Sequence, residues 1–168
     1  PELQRLPILR DPIVMIAPNE YATDSQTTPH QLAEALPFIH YNRQSRLGSL
    51  TELIARRLNI TLESSYELDS TQTLLKFVQS GQGWAFTSAL CLVSYPKLCQ
   101  NMQVLPLTKG ANARYLSLLC RNNELGDWAQ IMADICRSIY DDDIVLAMNA
   151  IAPWLGDQAY SICEAPTI

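Results

Sequence analysis

The sequence lacks the long apolar runs and the basic clusters that would place a protein in a membrane or on nucleic acid. No apolar run approaches the roughly 20 residues that a membrane-spanning helix needs. The 12 Lys and Arg residues are outnumbered by 17 Asp and Glu residues, which gives a net charge of -5. Because DNA-binding surfaces carry clustered basic side chains, we expect no direct contact between this chain and DNA.

Histidine and cysteine are too few and too scattered for a metal site. The only histidines are His30 and His40, and the five cysteines contain no CxxC spacing. We therefore predict no metal and no cofactor. An odd number of cysteines among apolar neighbours is typical of buried, reduced thiols in a cytoplasmic protein. A redox pair between Cys91 and Cys99 is the alternative.

The N-terminal segment PELQRLPILRDP lacks the basic and apolar regions of a signal peptide. The chain also begins without Met, immediately before a predicted strand. We therefore expect a cytoplasmic protein that is a fragment or a processed form.

Patterns that would indicate an enzyme are missing as well. No Ser-His-Asp order and no paired carboxylates can be assembled from the sequence. Gly81 and Gly83 precede a predicted strand instead of following one, which is the wrong context for a dinucleotide site. The sequence therefore favours a binding protein over a catalyst.

Strands and helices alternate through most of the chain. With 168 residues and 48% hydrophobic content, the chain can bury one or two compact lobes. Short apolar or alternating runs predict six strands, at Ile13–Ala17, Phe38–Tyr41, Thr61–Leu68, Trp84–Thr87, Met102–Leu107 and Tyr115–Cys120. Between them, amphipathic segments predict helices, so that the centre of the chain is a βαβαβα run.

Several residues mark where these helices begin and end. Thr28 followed by Pro29 predicts a helix start, and Ser70 predicts another. In the helix after Ser70 we expect Leu74, Leu75 and Val78 to face inward. Asn59 and Gly81 predict helix ends. We expect Pro96 to end the helix that starts at Ser88, and we expect a flexible joint at residues 109–112.

The last third of the chain predicts two helices without a strand between them. The first carries an apolar stripe that we expect to face inward: Trp128, Ile131, Met132, Ile135, Cys136 and Ile139. Asp141 to Asp143 should interrupt it and cap a second helix, because acidic residues favour helix N-termini. The inward residues of that helix would be Val145, Met148, Ile151, Ala152 and Leu155. From Gly156 onward we expect a loop or tail.

Polar residues follow two strands that should be neighbours in a doubly wound sheet. In such sheets the crevice at the carboxyl ends of diverging strands binds ligands. Six residues at these ends are the candidate ligand contacts: Tyr41, Asn42, Arg43, Ser45, Thr87 and Ser88. Hydroxyls, an amide, helix N-termini and one guanidinium suit a small anion or polar metabolite. Alternatively, these residues are ordinary caps that satisfy their own helices.

Two segments carry a resemblance to a known family. They are LPFIHYNRQSRLG, with a P-F-I-x-Y strand and a downstream S-x-x-G, and ELDSTQTLLKFVQSGQGWAFTSALCL, with a V-x-x-G-x-G-W-A run. Together with the preceding IVMIAP strand, their order and spacing resemble the effector-binding domain of LysR-type transcriptional regulators. The resemblance covers about Asp11 to Arg121, with a looser match through Ile139.

The resemblance implies an α/β fold with two Rossmann-like lobes of the type 2 periplasmic-binding-protein kind. The first lobe would comprise residues 1–18 and 111–168 and would be incomplete in this chain, because the family's domain begins with further βα units. The second lobe would comprise residues 19–110. The family's N-terminal winged helix-turn-helix, which binds DNA, is not present in the sequence.

The resemblance also implies a bacterial, cytoplasmic ligand-sensing domain that is not an enzyme. A small organic, anionic effector would bind between the lobes at the six candidate contacts. The protein would form a homodimer or homotetramer, reach DNA only through the absent N-terminal domain, and have no membrane partner. A solute-binding protein of a transporter shares the bilobal fold and is the alternative, and a dedicated enzyme comes third.

Overall fold

The computed structural model describes residues 2–21, 26–62, 64–107, 112–122 and 124–164, with only the backbone at 64 and 65. The chain forms two compact units: unit 1 is Pro1–Pro12 with Ala113–Ile168, and unit 2 is Ile13–Asn112. The strands are β1 Leu3–Pro18, β2 Phe38–Tyr41, β3 Ser64–Leu68, β4 Ala85–Ser88, β5 Met102–Leu105, β6 Ala113–Arg121 and β7 Tyr160–Ser161. The helices are α1 Pro29–Ala35, α2 Arg46–Arg57, α3 Thr71–Gln79, α4 Ala89–Val93, α5 Pro96–Cys99, α6 Trp128–Ile139 and α7 Val145–Ile151.

The first strand is much longer than its apolar run predicts. β1 has 16 residues, of which Leu3–Pro12 pair antiparallel with β6 in unit 1. Leu9 and Arg10 also pair with β7, so that β1 lies between β6 and β7. The sequence pattern does not predict this extension, because it contains Pro7 and Pro12 and proline is unfavourable within strands. The strand accommodates Pro7 beside an irregularity where the β6 register shifts, as prolines in sheets usually require.

The sheet of unit 2 is mixed. The end of β1 pairs antiparallel with β4 on one side and with β5 on the other. β2 pairs parallel with β3, and a single parallel bridge between Phe38 and Trp84 joins β2 to the start of β4. The Ile39 N–H donates to the Trp84 carbonyl at 2.9 Å, which fixes this junction. Gly83 permits it, because a Cβ there would collide with the Pro37 carbonyl.

The core of unit 2 consists mainly of apolar side chains. Leu74, Leu75 and Val78 of α3 are fully buried, as their spacing predicts. The Trp84 ring packs edge-on against Phe38 at 4.9 Å between ring centroids, so it belongs to the core.

The predicted helix ends of unit 2 are confirmed in detail. Thr28 and Gln31 form a capping box at the start of α1, each side chain bonding the other's backbone N–H. Ser70 caps α3, and Asn59 and Gly81 follow α2 and α3 with φ of 55° and 79°. These left-handed conformations are the ones that Asn and Gly adopt most readily.

Two expectations nearby have other outcomes. Pro96 does not end the helix that Ser88 starts, because α4 already ends at Val93 and Pro96 is the first residue of α5. This is the position where a proline lacks no needed hydrogen bond. Of the expected joint at residues 109–112, only Asn112 is among the described residues.

The predicted inward face of α6 is wrong. Five of the six stripe residues are exposed large apolar side chains, with 43–67% of their surface accessible: Trp128, Ile131, Met132, Ile135 and Ile139. The sixth, Cys136, is also exposed. The buried residues of α6 are Ala129, Ala133 and Arg137. Small alanines let the helix backbone approach its neighbours closely, and this packing outweighs the apolar stripe.

The core of unit 1 contains buried arginines. The Arg137 Nε donates to the Pro7 carbonyl at 3.1 Å and to the Ile162 carbonyl at 3.0 Å. The Tyr140 hydroxyl donates to the Arg10 carbonyl at 2.7 Å. A buried guanidinium is stable only when its donors are used, and here carbonyl oxygens accept from them.

The acidic run does not separate two helices. Tyr140–Ile144 forms a π-helical turn that joins α6 to α7 without a break. Asp141 accepts hydrogen bonds from the N–H and the hydroxyl of Ser161, at 2.9 and 2.6 Å. It therefore anchors β7 instead of capping a helix, and the expectation of an unstructured tail after Gly156 is wrong for Tyr160–Ser161.

The inward face of α7 is confirmed for three of its five predicted residues. Met148, Ala152 and Leu155 are buried, whereas Val145 and Ile151 are half-buried. Ala152 and Leu155 lie beyond the end of α7, in the segment that leads into the 3-10 turn Pro153–Leu155.

The boundary between the compact units falls at Pro12 and Asn112. The sequence predicted lobe boundaries at residues 18 and 110. Ile13 to Pro18 group with unit 2 because they pair with β4 and β5. The assignment of the units to a partial first lobe and a second lobe stays a prediction.

Candidate functional site

The carboxyl ends of three strands meet at one edge of the unit 2 sheet. β2 and β3 are parallel, with Tyr41 opposite Leu68, and the bridge to Trp84 makes β4 parallel to β2. Each strand is followed directly by a helix, and the caps of these helices are Ser45, Ser70 and Ser88. Helix N-termini at the carboxyl edge of such strands favour polar and anionic ligands.

A cluster of hydroxyls lies at this edge. The Tyr41 hydroxyl is 2.8 Å from the Thr87 Oγ1, where either can donate, and 3.1 Å from the Thr71 Oγ1. Tyr41 and Thr87 are buried. The structure therefore brings together two of the predicted contacts, from β2 and β4, through side-chain atoms.

Three other predicted contacts satisfy local groups. The Asn42 Oδ1 accepts from the Gln44 N–H at 2.9 Å. The Ser45 hydroxyl accepts from the Gly48 N–H at 2.9 Å and the Ser88 hydroxyl from the Cys91 N–H at 3.4 Å. These bonds are the ordinary caps and turns that the sequence offers as the alternative.

The Arg43 side chain extends toward α2. It is exposed, and its Nε lies 3.8 Å from the Glu52 Oε2. Its backbone N–H donates to the Glu67 carboxylate at 3.1 Å. Arg43 therefore follows the predicted strand end in sequence, but its guanidinium lies beside Glu52.

Sequence reasoning missed two residues of this edge. The Thr71 Oγ1 accepts a hydrogen bond from the Tyr41 hydroxyl, and the Asp69 carboxylate accepts one from the Asn42 Nδ2 at 2.7 Å. Both follow β3, whose carboxyl end was not included in the predicted crevice. The signal was present, because a parallel β3 beside β2 places the segment after Leu68 at the same edge.

None of the five cysteines forms a disulfide. Cys99 is buried, whereas Cys91 and Cys120 are half-buried and Cys136 is exposed, contrary to the burial that their apolar neighbours predict. Burial raises the pKa of the Cys99 thiol to about 11. Such a thiol carries little thiolate at neutral pH and is a weak nucleophile.

In the part of the chain that the structure describes, no helix combines the length and apolar character needed to cross a membrane.

Comparison with known proteins identifies a family. The sequence profile of the LysR substrate binding domain matches residues 1–139. No curated protein matches the chain.

Solved structures share the fold at low sequence identity. An OxyR mutant from Corynebacterium glutamicum aligns with a TM-score of 0.72 and 14% identity, over 89% of this chain and 48% of its own. The CcmR regulatory domain from Synechocystis, in complex with 2-PG, aligns with a TM-score of 0.66 and 20% identity, over 84% and 69%. The QuiR effector binding domain, in complex with shikimate, aligns with a TM-score of 0.61 and 15% identity, over 95% and 68%.

These matches establish the fold class. The mixed α/β architecture is that of LysR substrate-binding domains, which have the type 2 periplasmic-binding-protein fold. The chain spans about half the length of the OxyR chain that it matches. The match to the LysR substrate binding domain favours this family over a transporter's solute-binding protein, the alternative that the sequence leaves open.

Proposed function

The chain belongs to the LysR substrate binding domain family, and from that membership we propose that it is the ligand-sensing regulatory part of a transcription factor. Its ligand would be a small organic, anionic effector, and the chain itself would catalyse no reaction. Two neighbours in the family's fold were solved with small polar molecules, shikimate and 2-PG.

The hydroxyl cluster at the carboxyl edge of β2 and β4 is the observation that carries this proposal. The buried hydroxyls of Tyr41 and Thr87 lie 2.8 Å apart, and the Tyr41 hydroxyl also donates to Thr71, the first residue of α3. Hydroxyls both donate and accept, so they suit the oxygen atoms of an organic acid. We include Asn42, Arg43, Ser45 and Ser88 in the proposed contact set because they surround the same strand ends.

Regulation would follow from differential binding. An effector that binds one conformation of the regulator better than another shifts the population toward it by the difference in binding free energy. The whole regulator would be a cytoplasmic homodimer or homotetramer that contacts DNA through an N-terminal winged helix-turn-helix. The effector-binding part would bias that contact without touching DNA.

Binding of organic acids to the chain tests the proposal. We would measure thermal stabilisation and Kd for a panel that includes shikimate and 2-PG, with the parent chain and with Thr87→Val and Asn42→Ala. Each variant should weaken binding by roughly tenfold, the usual loss for one hydrogen bond to a charged group. The matched control is Ser80→Ala, which removes an exposed hydroxyl at the far end of α3 that donates to the Phe77 carbonyl.

Two outcomes would contradict the proposal. If no acid of the panel stabilises the parent chain, an organic anion is the wrong ligand class. If an acid binds the parent, Thr87→Val and Asn42→Ala with equal Kd, the ligand binds elsewhere.

A further inference from the structure

His40 is a buried histidine whose ring finds no hydrogen-bond partner among the described residues. Only 1% of its surface is accessible, and both Nδ1 and Nε2 are unpaired there. The ring packs edge-on against Phe38, with 4.5 Å between centroids. An unpaired buried imidazole costs free energy, so such a group calls for a partner that the described residues do not supply.

The space for such a partner lies between β2 and α2. A cavity of about 80 Å³ is lined by His40, Arg43, Glu52, Ala55, Arg56, Ile60 and Leu62. A larger groove of about 520 Å³ shares three lining residues with this cavity, Arg43, Glu52 and Arg56. Ser49 and Leu53 also line the groove. Because one water occupies about 30 Å³ in the liquid, the cavity can hold one small polyatomic group.

The guanidiniums around the cavity favour an anion. Arg43 and Arg56 flank a single carboxylate, Glu52, at 3.8 and 3.1 Å. Burial and then the Arg43 charge lower the pKa of His40, which favours the neutral form of the ring. Two guanidiniums and one carboxylate line the cavity, while Glu67, outside the lining, also acts on His40, so the net charge is balanced. What favours an oxyanion is the directed N–H groups of the two guanidiniums.

One acceptor in the cavity narrows the choice of anion. The buried Glu52 Oε2 has no hydrogen-bond partner among the described residues, since its distance from the Arg43 Nε is that of an ion pair only. A carboxylate oxygen can only accept, so its partner must carry a proton. Phosphate near pH 7 carries one or two protons, whereas sulfate carries none.

We propose that the cavity between β2 and α2 binds a protonated phosphate group, held by His40, Arg43 and Arg56 and recognised through a hydrogen bond that it donates to Glu52. The imidazole at the floor and the guanidiniums at the mouth donate to its remaining oxygens. The group comes either from inorganic phosphate or from a phosphomonoester whose organic part lies in the larger groove. Because the second pKa of a monoester is about 6, only its minor, singly protonated form at pH 7 would donate to Glu52.

This site is separate from the hydroxyl cluster. Successive residues of a strand point to opposite faces of the sheet, so His40 and Tyr41 face different sides of β2. Only Arg43 belongs both to this cavity and to the contact set proposed above. The inference therefore does not rest on the proposed effector.

Histidine NMR of the intact chain tests the proposal directly. The chain has only two histidines, and His30 is an exposed residue of α1 that serves as the internal control. Inorganic phosphate, added at constant ionic strength and pH, should shift the imidazole signals of His40 in a saturable manner and leave those of His30 in place. Sulfate at the same concentrations should shift neither, and glycerol phosphate distinguishes a monoester from inorganic phosphate as the tighter ligand.

Matched variants test the assigned contacts. Arg56→Gln should weaken phosphate binding by roughly tenfold. Arg57→Gln, at the next arginine of α2, which is also exposed, should change it less than about twofold. Glu52→Gln should let sulfate bind about as well as phosphate, because the amide donates where the carboxylate only accepted. Thr87→Val should leave the phosphate response unchanged, which separates this site from the effector site.

Three results would overturn the inference. In the first, neither phosphate nor glycerol phosphate moves the His40 signals of the folded parent chain, so that only water fills the cavity. In the second, sulfate binds the parent as tightly as phosphate. In the third, Arg57→Gln weakens binding as much as Arg56→Gln, which would indicate diffuse charge attraction.

Discussion

The two units of the molecule are built in opposite ways. In unit 2 the apolar face of α3 is buried, with Leu74 and Leu75 fully inaccessible. In unit 1 the apolar stripe of α6 is exposed, with 67% of the Trp128 surface accessible, while Arg137 of the same helix is 8% accessible. Apolar periodicity therefore identifies a helix in both units, but it identifies the buried face only in unit 2.

The difference has a physical cause in the partners of Arg137. Its guanidinium donates to the carbonyls of Pro7 and Ile162, which belong to or follow the strands beneath α6. Ala129 and Ala133 let the helix come close enough for these bonds. The carbonyls that accept from Arg137 and the small side chains of Ala129 and Ala133 thus decide which face of α6 packs. Four predictions test this contrast between unit 1 and unit 2.

Truncating the two apolar faces should have very different effects. Leu75→Ala in α3 should lower the free energy of unfolding by about 2–5 kcal/mol, because it leaves a cavity in a closed core. Ile135→Ala, with 53% of its surface accessible in α6, should change it by less than about 0.5 kcal/mol. Urea unfolding followed by circular dichroism measures both. Equal losses would show that the α6 stripe is covered in solution.

Removing the buried arginine should destabilise unit 1 more than removing an exposed one. Arg137→Met leaves the Pro7 and Ile162 carbonyls without their donor and should cost roughly 2–3 kcal/mol. Arg121→Met, at an exposed position of β6, should cost less than about 0.5 kcal/mol. Chemical denaturation compares them. If Arg137→Met is neutral, methionine packing replaces the hydrogen bonds and the polar core is dispensable.

One glycine in each unit should respond to alanine for a different reason. At Gly48 of α2 a Cβ would collide with the Asn42 carbonyl, so Gly48→Ala should cost about 2 kcal/mol through overpacking. At Gly126 no atom of the described residues lies within 4 Å of an added Cβ, but φ is 50°, so Gly126→Ala should cost only about 1 kcal/mol. Thermal melts of the two variants test the order, and the reverse order would contradict this geometry.

The pH dependence of stability should carry a contribution from His40 in unit 2. Its pKa in the folded chain is lowered by burial and by Arg43, below the ordinary 6.5 of the unfolded chain. The unfolded state therefore binds more protons, so the contribution is present above about pH 6.5 and is lost as the pH falls toward the folded pKa.

His40→Gln should flatten this part of the stability curve, and His30→Gln should leave it unchanged. Unfolding free energies between pH 7.5 and pH 5, measured in phosphate-free buffer, provide the comparison. A slope that persists in His40→Gln would assign it to other groups.

Much of unit 2 could be predicted because its local signals agree with one another. Thr28, Asn59 and Gly81 mark helix ends through bonds within a few residues, and Phe38–Tyr41 forms the predicted strand. The first strand was underestimated since Pro7 opposes strand propensity, and only pairing with β6 across more than a hundred residues overrides it. The face of α6 depends on the Pro7 carbonyl, 130 residues from Arg137 in the sequence, and on the Ile162 carbonyl, 25 residues from it.

The sequence predicts the position of some residues of the candidate site but not of others. Adjacent strands placed Tyr41 beside Thr87, which a doubly wound pattern implies. The contributions of Asp69 and Thr71 needed the order of β3 in the sheet, and the direction of the Arg43 side chain needed the position of Glu52. Strand order and side-chain direction are tertiary properties, so short motifs do not encode them.

The π-helical turn at Asp141 to Asp143 keeps two helical segments in phase. Met148 follows Tyr140 by eight positions, and in a regular α-helix these two side chains would lie about 80° apart around the axis. The wider turn absorbs one residue, so that both side chains are buried and the Tyr140 hydroxyl reaches the Met148 sulfur at 4.0 Å. Loss of one residue here would convert the turn to α-helix. Tyr140 and Met148 would then be seven positions apart, with their side chains still on the same side of the helix. The aspartate run is therefore a point where the chain can shorten by one residue without turning its core outward.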